Sequence, residues 1–155
     1  MNKTSQYFWI LTAVFFLSGC VTKAPPGTVT IKEVNMSLGE VKNFIHHTLP
    51  LGVLTISDNG REFFSQHFLL DKNEYIAAKD ASIRYTARVL ILNSSRPFDV
   101  EVEVRREVRR DAGGRIAYRD DGYDLRIARI LRDQLKDALA KRRDDLNLID
   151  DFRVF

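Results

Sequence analysis

Phe98-Asp99-Val100-Glu101-Val102-Glu103-Val104-Arg105 alternates apolar and charged residues without a break. A period of two is that of a β-strand with one face in a core and the other in water. Upstream of the loop Ser94-Ser95-Arg96-Pro97, the residues Ile83, Tyr85, Ala87, Val89 and Ile91 alternate with Arg84, Thr86 and Arg88 in the same way. Two such strands joined by a short loop form an antiparallel pair whose faces match only in alternate registers. The register that opposes Arg88 to Glu103 and Arg84 to Glu107 is expected, because the competing one sets Arg84 against Arg105. Opposite charges across strands stabilise by about 0.2–1 kcal/mol, and like charges do the reverse.

Working outward, Val53 to Ile56, then Ser57-Asp58-Asn59-Gly60, then Glu62 to Leu70 reads as a hairpin, with Asn-Gly suited to a type I′ turn. Its second strand is apolar on both sides, Phe64, Phe68 and Leu70 against Phe63 and Leu69. Such a strand is either covered twice or holds an exposed patch, so Phe63, Phe64, Phe68 and Leu70 are candidates for a partner-binding surface. Gly113-Gly114 turns the chain into a short strand from Arg115 to Arg119, and Thr28 to Val34 alternates weakly enough for an edge strand.

Helical spacing brackets these strands. Ser37-Leu38-Gly39-Glu40 has the form of a capping box, with Met36 and Val41 placed as a hydrophobic staple. Leu38, Val41, Phe44, Ile45 and Leu49 recur at helical intervals until Pro50, which predicts a helix over about Leu38 to Thr48. From Tyr123 to about Arg143, the residues Ile127, Ala128, Leu131, Leu135, Ala138 and Leu139 share one face. Asp121 and Asp124 suit that helix's positive end, and Lys141, Arg142 and Arg143 its negative end. Ile149 to Phe155 is apolar enough to dock as a last strand or clip. A single α+β domain over residues 28–155 is expected: an antiparallel sheet of about four or five strands, an N-terminal helix, and a longer C-terminal helix packed across one sheet face.

Ahead of the domain stands an address. Residues 1–19 have a basic flank at Lys3, an apolar run from Tyr7 to Leu17 and small residues after it. That is the profile of a secretory signal, and it is too short to span a bilayer. Leu17-Ser18-Gly19-Cys20 resembles the lipobox of bacterial lipoprotein precursors. The resemblance implies diacylglycerylation of the Cys20 thiol, cleavage before it, and acylation of the new amino group. Two or three acyl chains hold a protein on its membrane almost permanently, where one gives only marginal binding. Val21 in second place, where a retention signal resembling that of enteric bacteria has Asp, implies the outer membrane, with the domain facing the periplasm. Val21 to Gly27 contains Pro25-Pro26 and no apolar period, so residues 20–27 read as the acylated cysteine and a tether.

Cleavage leaves 136 residues, enough for one domain, and removes one lysine and no acid, so the net charge falls from +3 to +2. With 45% hydrophobic and 29% charged residues the chain can bury a core. Its only cysteine is consumed by lipid, so packing rather than disulfides must hold the fold. A periplasmic location also argues against nucleic acid as partner, despite a pI near 9.1.

Few residues have the spacing of a reactive site. His46 and His47 are adjacent on a helix and so point about 100° apart, which does not suit a shared metal, and His67 stands alone. Asp120-Asp121 reads as a helix cap, and Asp144-Asp145 and Asp150-Asp151 as polar connections. No nucleophile elbow, phosphate-cradling loop or metalloprotease helix is present, so neither a catalytic residue, a metal nor a cofactor is expected. Arg105, Arg106, Arg109, Arg110, Arg115 and Arg119 straddle one turn and are candidates for binding phosphate or carboxylate, with Glu107, Asp111 and Asp120 interleaved to cancel much of the field.

The helix, sheet, helix order resembles that of the lipopolysaccharide-assembly lipoproteins of the outer membrane. That resemblance covers element order through most of the mature chain and no residue motif, so it carries over no functional residue. The expectation is a non-catalytic accessory or assembly component of the cell envelope that binds an envelope protein. A carrier of an anionic lipid or glycan, such as lipopolysaccharide, is the alternative, and an enzyme comes third.

Overall fold

Strands β6 (Ile83–Leu92) and β7 (Phe98–Ala112) form the spine of one antiparallel sheet, and they pair in the register that opposes Arg84 to Glu107 and Arg88 to Glu103. The computed structural model describes the backbone of residues 27–113 and 115–151, and side chains in that span apart from those of 112, 115 and 142–151. The expected leader over residues 1–19, Cys20, residues 21–26 and residues 152–155, Phe155 among them, lie outside the described residues.

The other elements are β1 (Thr28–Val34), α1 (Leu38–Thr48), β2 (Val53–Ile56), β3 (Glu62–Ser65), β4 (Phe68–Asp71), β5 (Glu74–Ala77), β8 (Arg115–Tyr123) and α2 (Leu125–Asp151). The main strand order is β1-β7-β6-β3-β2. Because β7 is 15 residues long, one of its edges serves two neighbours, β1 along its first half and β8 along its second. On the far side β6 is shared between β3 and β4, and β5 pairs with β4.

The architecture is α+β, but the sheet has eight strands rather than four or five. The weaker candidates Thr28 to Val34 and Arg115 to Arg119 both join the sheet, and the middle of the chain supplies two strands more. Glu62 to Leu70 is broken at Gln66-His67 into β3 and β4, which meet different stretches of β6. A β4–β5 hairpin follows, with both turn residues, Lys72 (φ 45°) and Asn73 (φ 72°), in the left-handed region. Here, and not at Asn59-Gly60, lies the two-residue turn with two positive φ angles. In the β2–β3 connection only Gly60 is left-handed, and its N–H closes the turn on the Ser57 carbonyl at 2.7 Å. Finally, β8 continues past Arg119 through Asp120-Asp121-Gly122, accommodated by a register shift between Arg105 and Glu107.

Helix α1 has the expected bounds and cap. Ser37 Oγ accepts the Glu40 N–H, and the Glu40 carboxylate accepts the Ser37 N–H at 2.9 Å. Helix α2 begins later than Tyr123, since Asp124 rather than Asp120-Asp121 is its cap, accepting the Ile127 N–H at 3.0 Å. It also runs on to Asp151, so Asp144-Asp145 and Asp150-Asp151 belong to the helix and not to connections, and Lys141 to Arg143 are not at its end. Leu146 and Ile149 continue the apolar spacing of Leu135 and Leu139 across the charged run that hid it. The expected clip from Ile149 is helical to Asp151, and its last residues are outside the described ones.

Both helices cover one face of the sheet. Val41 and Ile45 of α1, and Ile127, Leu131 and Leu135 of α2, share a core with Val89, Ile91, Val100, Val102 and Val104. Each such side chain taken fully out of water stabilises the fold by about 1.5–3 kcal/mol. Phe68, wholly buried, extends this core beneath β4 and meets Tyr75 edge to face at 5.2 Å. Tyr75 in turn donates its hydroxyl to Gln134 Oε1 at 2.7 Å, tying β5 to α2.

Candidate functional site

The alternation that puts valines under the helices puts charges on the opposite sheet face. There the Arg88 guanidinium bridges the Glu62 and Glu103 carboxylates, and Arg105 Nε donates to Glu103 at 2.8 Å. Arg84 pairs with Glu107 at 2.5 Å and stacks over the Tyr118 ring, its guanidinium carbon 3.6 Å from the centroid. The bond to Glu103 holds the Arg105 guanidinium above its already high ordinary pKa. Positive and negative groups alternate across β3, β6 and β7, so this part of the face leaves little uncompensated charge for a ligand.

This pattern divides the six candidate arginines. Arg105 and Arg109 lie on the charged face, Arg109 held by Asp111 at 3.0 Å and by the Asp80 carbonyl. Arg106 lies on the other face, its Nε 3.3 Å from the Asp121 carboxylate in an ion pair without hydrogen-bond geometry. Arg110 and Arg119 are exposed, and among the described residues neither has an acidic partner. Val108 stands directly opposite Arg119, and Arg110 opposite Ala117, so the two arginines are diagonal neighbours on one face of the β7–β8 hairpin. With Val108, Asp120 and Asp121 they line a shallow notch of about 210 Å³. Arg115 pairs with Ala112 through its backbone, and its side chain is outside the described residues.

The apolar run offered as a partner surface is largely interior. Phe63 is 2% exposed and Phe68 0%, while Phe64 and Leu70 are half-buried. Exposed apolar surface lies one strand further out, on β2 and the turn before it: Leu51 is 44%, Leu54 50% and Ile56 46% exposed. The sequence signal for this was the brevity of Val53-Leu54-Thr55-Ile56 and its lack of charge, which a search for long apolar strands passes over.

The two main edges of the sheet are therefore unlike. Edge β1 carries Lys32 and Glu33, bends with Glu33 at φ 59°, and spends the Glu33 N–H on the Asp99 carboxylate at 3.0 Å. Charge, a bend and an occupied donor are how sheet edges avoid stray pairing. Edge β2 has a register shift between Val53 and Thr55 but no charged residue, and among the described residues it pairs only with β3.

His46 and His47 are exposed with their rings edge to face at 5.5 Å. His67 Nδ1 lies 2.8 Å from Thr86 Oγ1, and burial, with Arg84 nearby, lowers its pKa against the opposing pull of Glu107. Burial raises the pKa of the Tyr75 phenol, and the bond to Gln134 offsets this in part. Among the described residues no three His, Cys, Asp or Glu side chains are grouped to hold a metal ion, and no helix is long and apolar enough to cross a membrane. Comparison with protein-family models, with curated proteins and with solved structures finds no match for this chain.

Proposed function

We propose that this protein is a non-catalytic lipoprotein of the outer membrane, anchored through Cys20 and facing the periplasm, that holds an envelope protein by strand addition to β2. The observation that carries the reading is the difference between the two sheet edges. β1 is blunted by charge and by a bend, whereas β2 presents Leu54 and Ile56 half exposed beside an open backbone edge. An added strand gains backbone hydrogen bonds from the edge and buries those side chains in its own alternate pockets. Burial of two such half-exposed residues contributes on the order of 2 kcal/mol, which gives specificity to a contact already confined by the anchor.

The test places a photo-crosslinking residue at Leu54 in intact cells and compares co-purification by the natural chain and by Leu54→Lys, Ile56→Lys. The expected result is a discrete crosslinked envelope protein that the double variant no longer retains, with unchanged thermal unfolding. Retention of the same partner by the double variant refutes the edge as the binding surface. Mass spectrometry of the mature chain tests the anchor independently: an unacylated Cys20 removes it.

A further inference from the structure

The β7–β8 hairpin and the point where the tether joins the domain share one edge of the sheet. Gly27, immediately before β1, is packed so closely on Tyr123, the last residue of β8, that a Cβ there would lie 2.4 Å from Tyr123 Cγ. Its φ of +97° favours glycine as well. The chain therefore enters the domain beside Tyr123, opposite Arg105.

From that point distances follow from strand geometry. Arg119 is four residues back along β8, roughly 13 Å, and Arg110 is five residues on along β7, roughly 17 Å. Cys20 is seven residues before Gly27, a reach of at most about 25 Å. Both arginines thus lie closer to Gly27 than the tether is long, so the tether can bring Cys20 alongside them. They are also the two candidate arginines that no described acid neutralises. Near the hairpin's end Ile116, opposite Asp111 on the other face from Arg110 and Arg119, is 51% exposed, an apolar side chain that leads the two arginines when the hairpin meets a surface tip first. Free phosphate has no use for it, whereas a headgroup layer accepts both an apolar side chain and a cation.

We propose that the β7–β8 hairpin is a second membrane contact, in which Arg110 and Arg119 grip lipid phosphates of the leaflet that holds Cys20 while Ile116 enters the headgroup layer. Each guanidinium offers a planar fork to phosphate oxygens, and a phosphate seated between the diagonal pair relieves their mutual repulsion. Asp121 is occupied by Arg106, and Asp120 accepts the Gly122 N–H at 2.8 Å, so the notch keeps a positive excess. The contact fixes the orientation of the domain and turns β2, on the opposite side of the sheet, toward its partner. The inference rests on the acylated Cys20 of the proposed function.

The experiment uses the mature acylated protein in vesicles of phosphatidylcholine, alone or mixed with phosphatidylglycerol, with a fluorophore on Ala117→Cys and a quencher on the headgroups. With Cys20 blocked by lipid, the introduced thiol is the only one that labels; double labelling reports an unacylated chain and so fails the anchor rather than the hairpin. Quenching is expected in the anionic vesicles and is weakened by salt. Near a membrane surface each basic residue contributes about fivefold, so Arg110→Gln, Arg119→Gln should lower the ratio of docked to free hairpin on the order of 25-fold. Arg110→Lys, Arg119→Lys should retain most of the docking. Equal quenching in both vesicle types, or no loss in the glutamine pair with its circular dichroism unchanged, overturns the proposal. Competition by low concentrations of inorganic phosphate overturns the lipid assignment in favour of a free anion.

Discussion

Replacing Arg88 by methionine, alone and together with Arg105→Gln, tests whether the charged sheet face acts as a connected ladder. Arg88 is the only described cation on Glu62, and it makes the longer of two contacts to Glu103, 3.5 Å against 2.8 Å from Arg105. Breaking a fully buried pair costs about 3–5 kcal/mol. Arg88 and Glu62 are each a quarter exposed and keep part of their hydration, which brings Arg88→Met to about 2 kcal/mol. Arg105 is half exposed, and Glu103 keeps Arg88 when Arg105 is lost, so Arg105→Gln costs about 0.5–1 kcal/mol. Only the double variant leaves Glu103, 5% exposed, without a cation. A carboxylate stranded there adds about 1–2 kcal/mol beyond the sum of the single losses. Urea unfolding of the mature protein, followed by far-ultraviolet circular dichroism at low and high salt, measures each term, with equal m-values as the check that only stability has changed. Additive single and double losses would refute the reasoning, for they would mean that the two arginines do not share Glu103.

Three further outcomes are expected. Ser37→Ala removes one half of the capping box and lowers stability by about 1 kcal/mol in the same unfolding assay, with a smaller loss for Gly at this position. Leu131→Ala, at a side chain buried between α2 and the sheet, costs about 2–5 kcal/mol and lowers the thermal midpoint accordingly. Because His67 has its pKa lowered by folding, the unfolded chain binds a proton more readily. The stability from keeping His67 neutral is fully present above about pH 6.5 and is lost as pH falls from there through the folded value. In His67→Gln that part of the decline disappears, as unfolding at a series of pH values will show.

Much of this was legible because its causes are local. Ser37 and Glu40 sit three residues apart and cap the same helix whatever lies above it. Arg84, Arg88, Glu103 and Glu107 identified their register because a two-residue slip brings like charges together across a single strand pair. Local cues misled where a second neighbour decided the outcome. Asn59-Gly60 is the stronger hairpin signal, yet the tight turn forms at Lys72-Asn73, where β4 and β5 pair without an intervening loop. Glu62 to Leu70 looked continuous because both halves are apolar, and only its two different contacts with β6 divide it. Asp120-Asp121 had the composition of a helix cap but continues β8, since β7 is long enough to pair with it.

The candidate surfaces divide in the same way. From sequence alone come the α+β class, the alternation that separates apolar from charged sheet faces, the expectation of a leader over residues 1–19 ahead of Cys20, and the clustering of arginines around one turn. These depend on residue identity and spacing along the chain. Tertiary structure decided which arginines have their charge compensated, by pairing Arg105, Arg106 and Arg109 with acids while leaving Arg110 and Arg119 exposed. It also moved the apolar surface from the Phe63 to Leu70 run to Leu54 and Ile56, because burial depends on which strand ends the sheet. An edge is defined by a missing neighbour, a property that no stretch of sequence contains by itself.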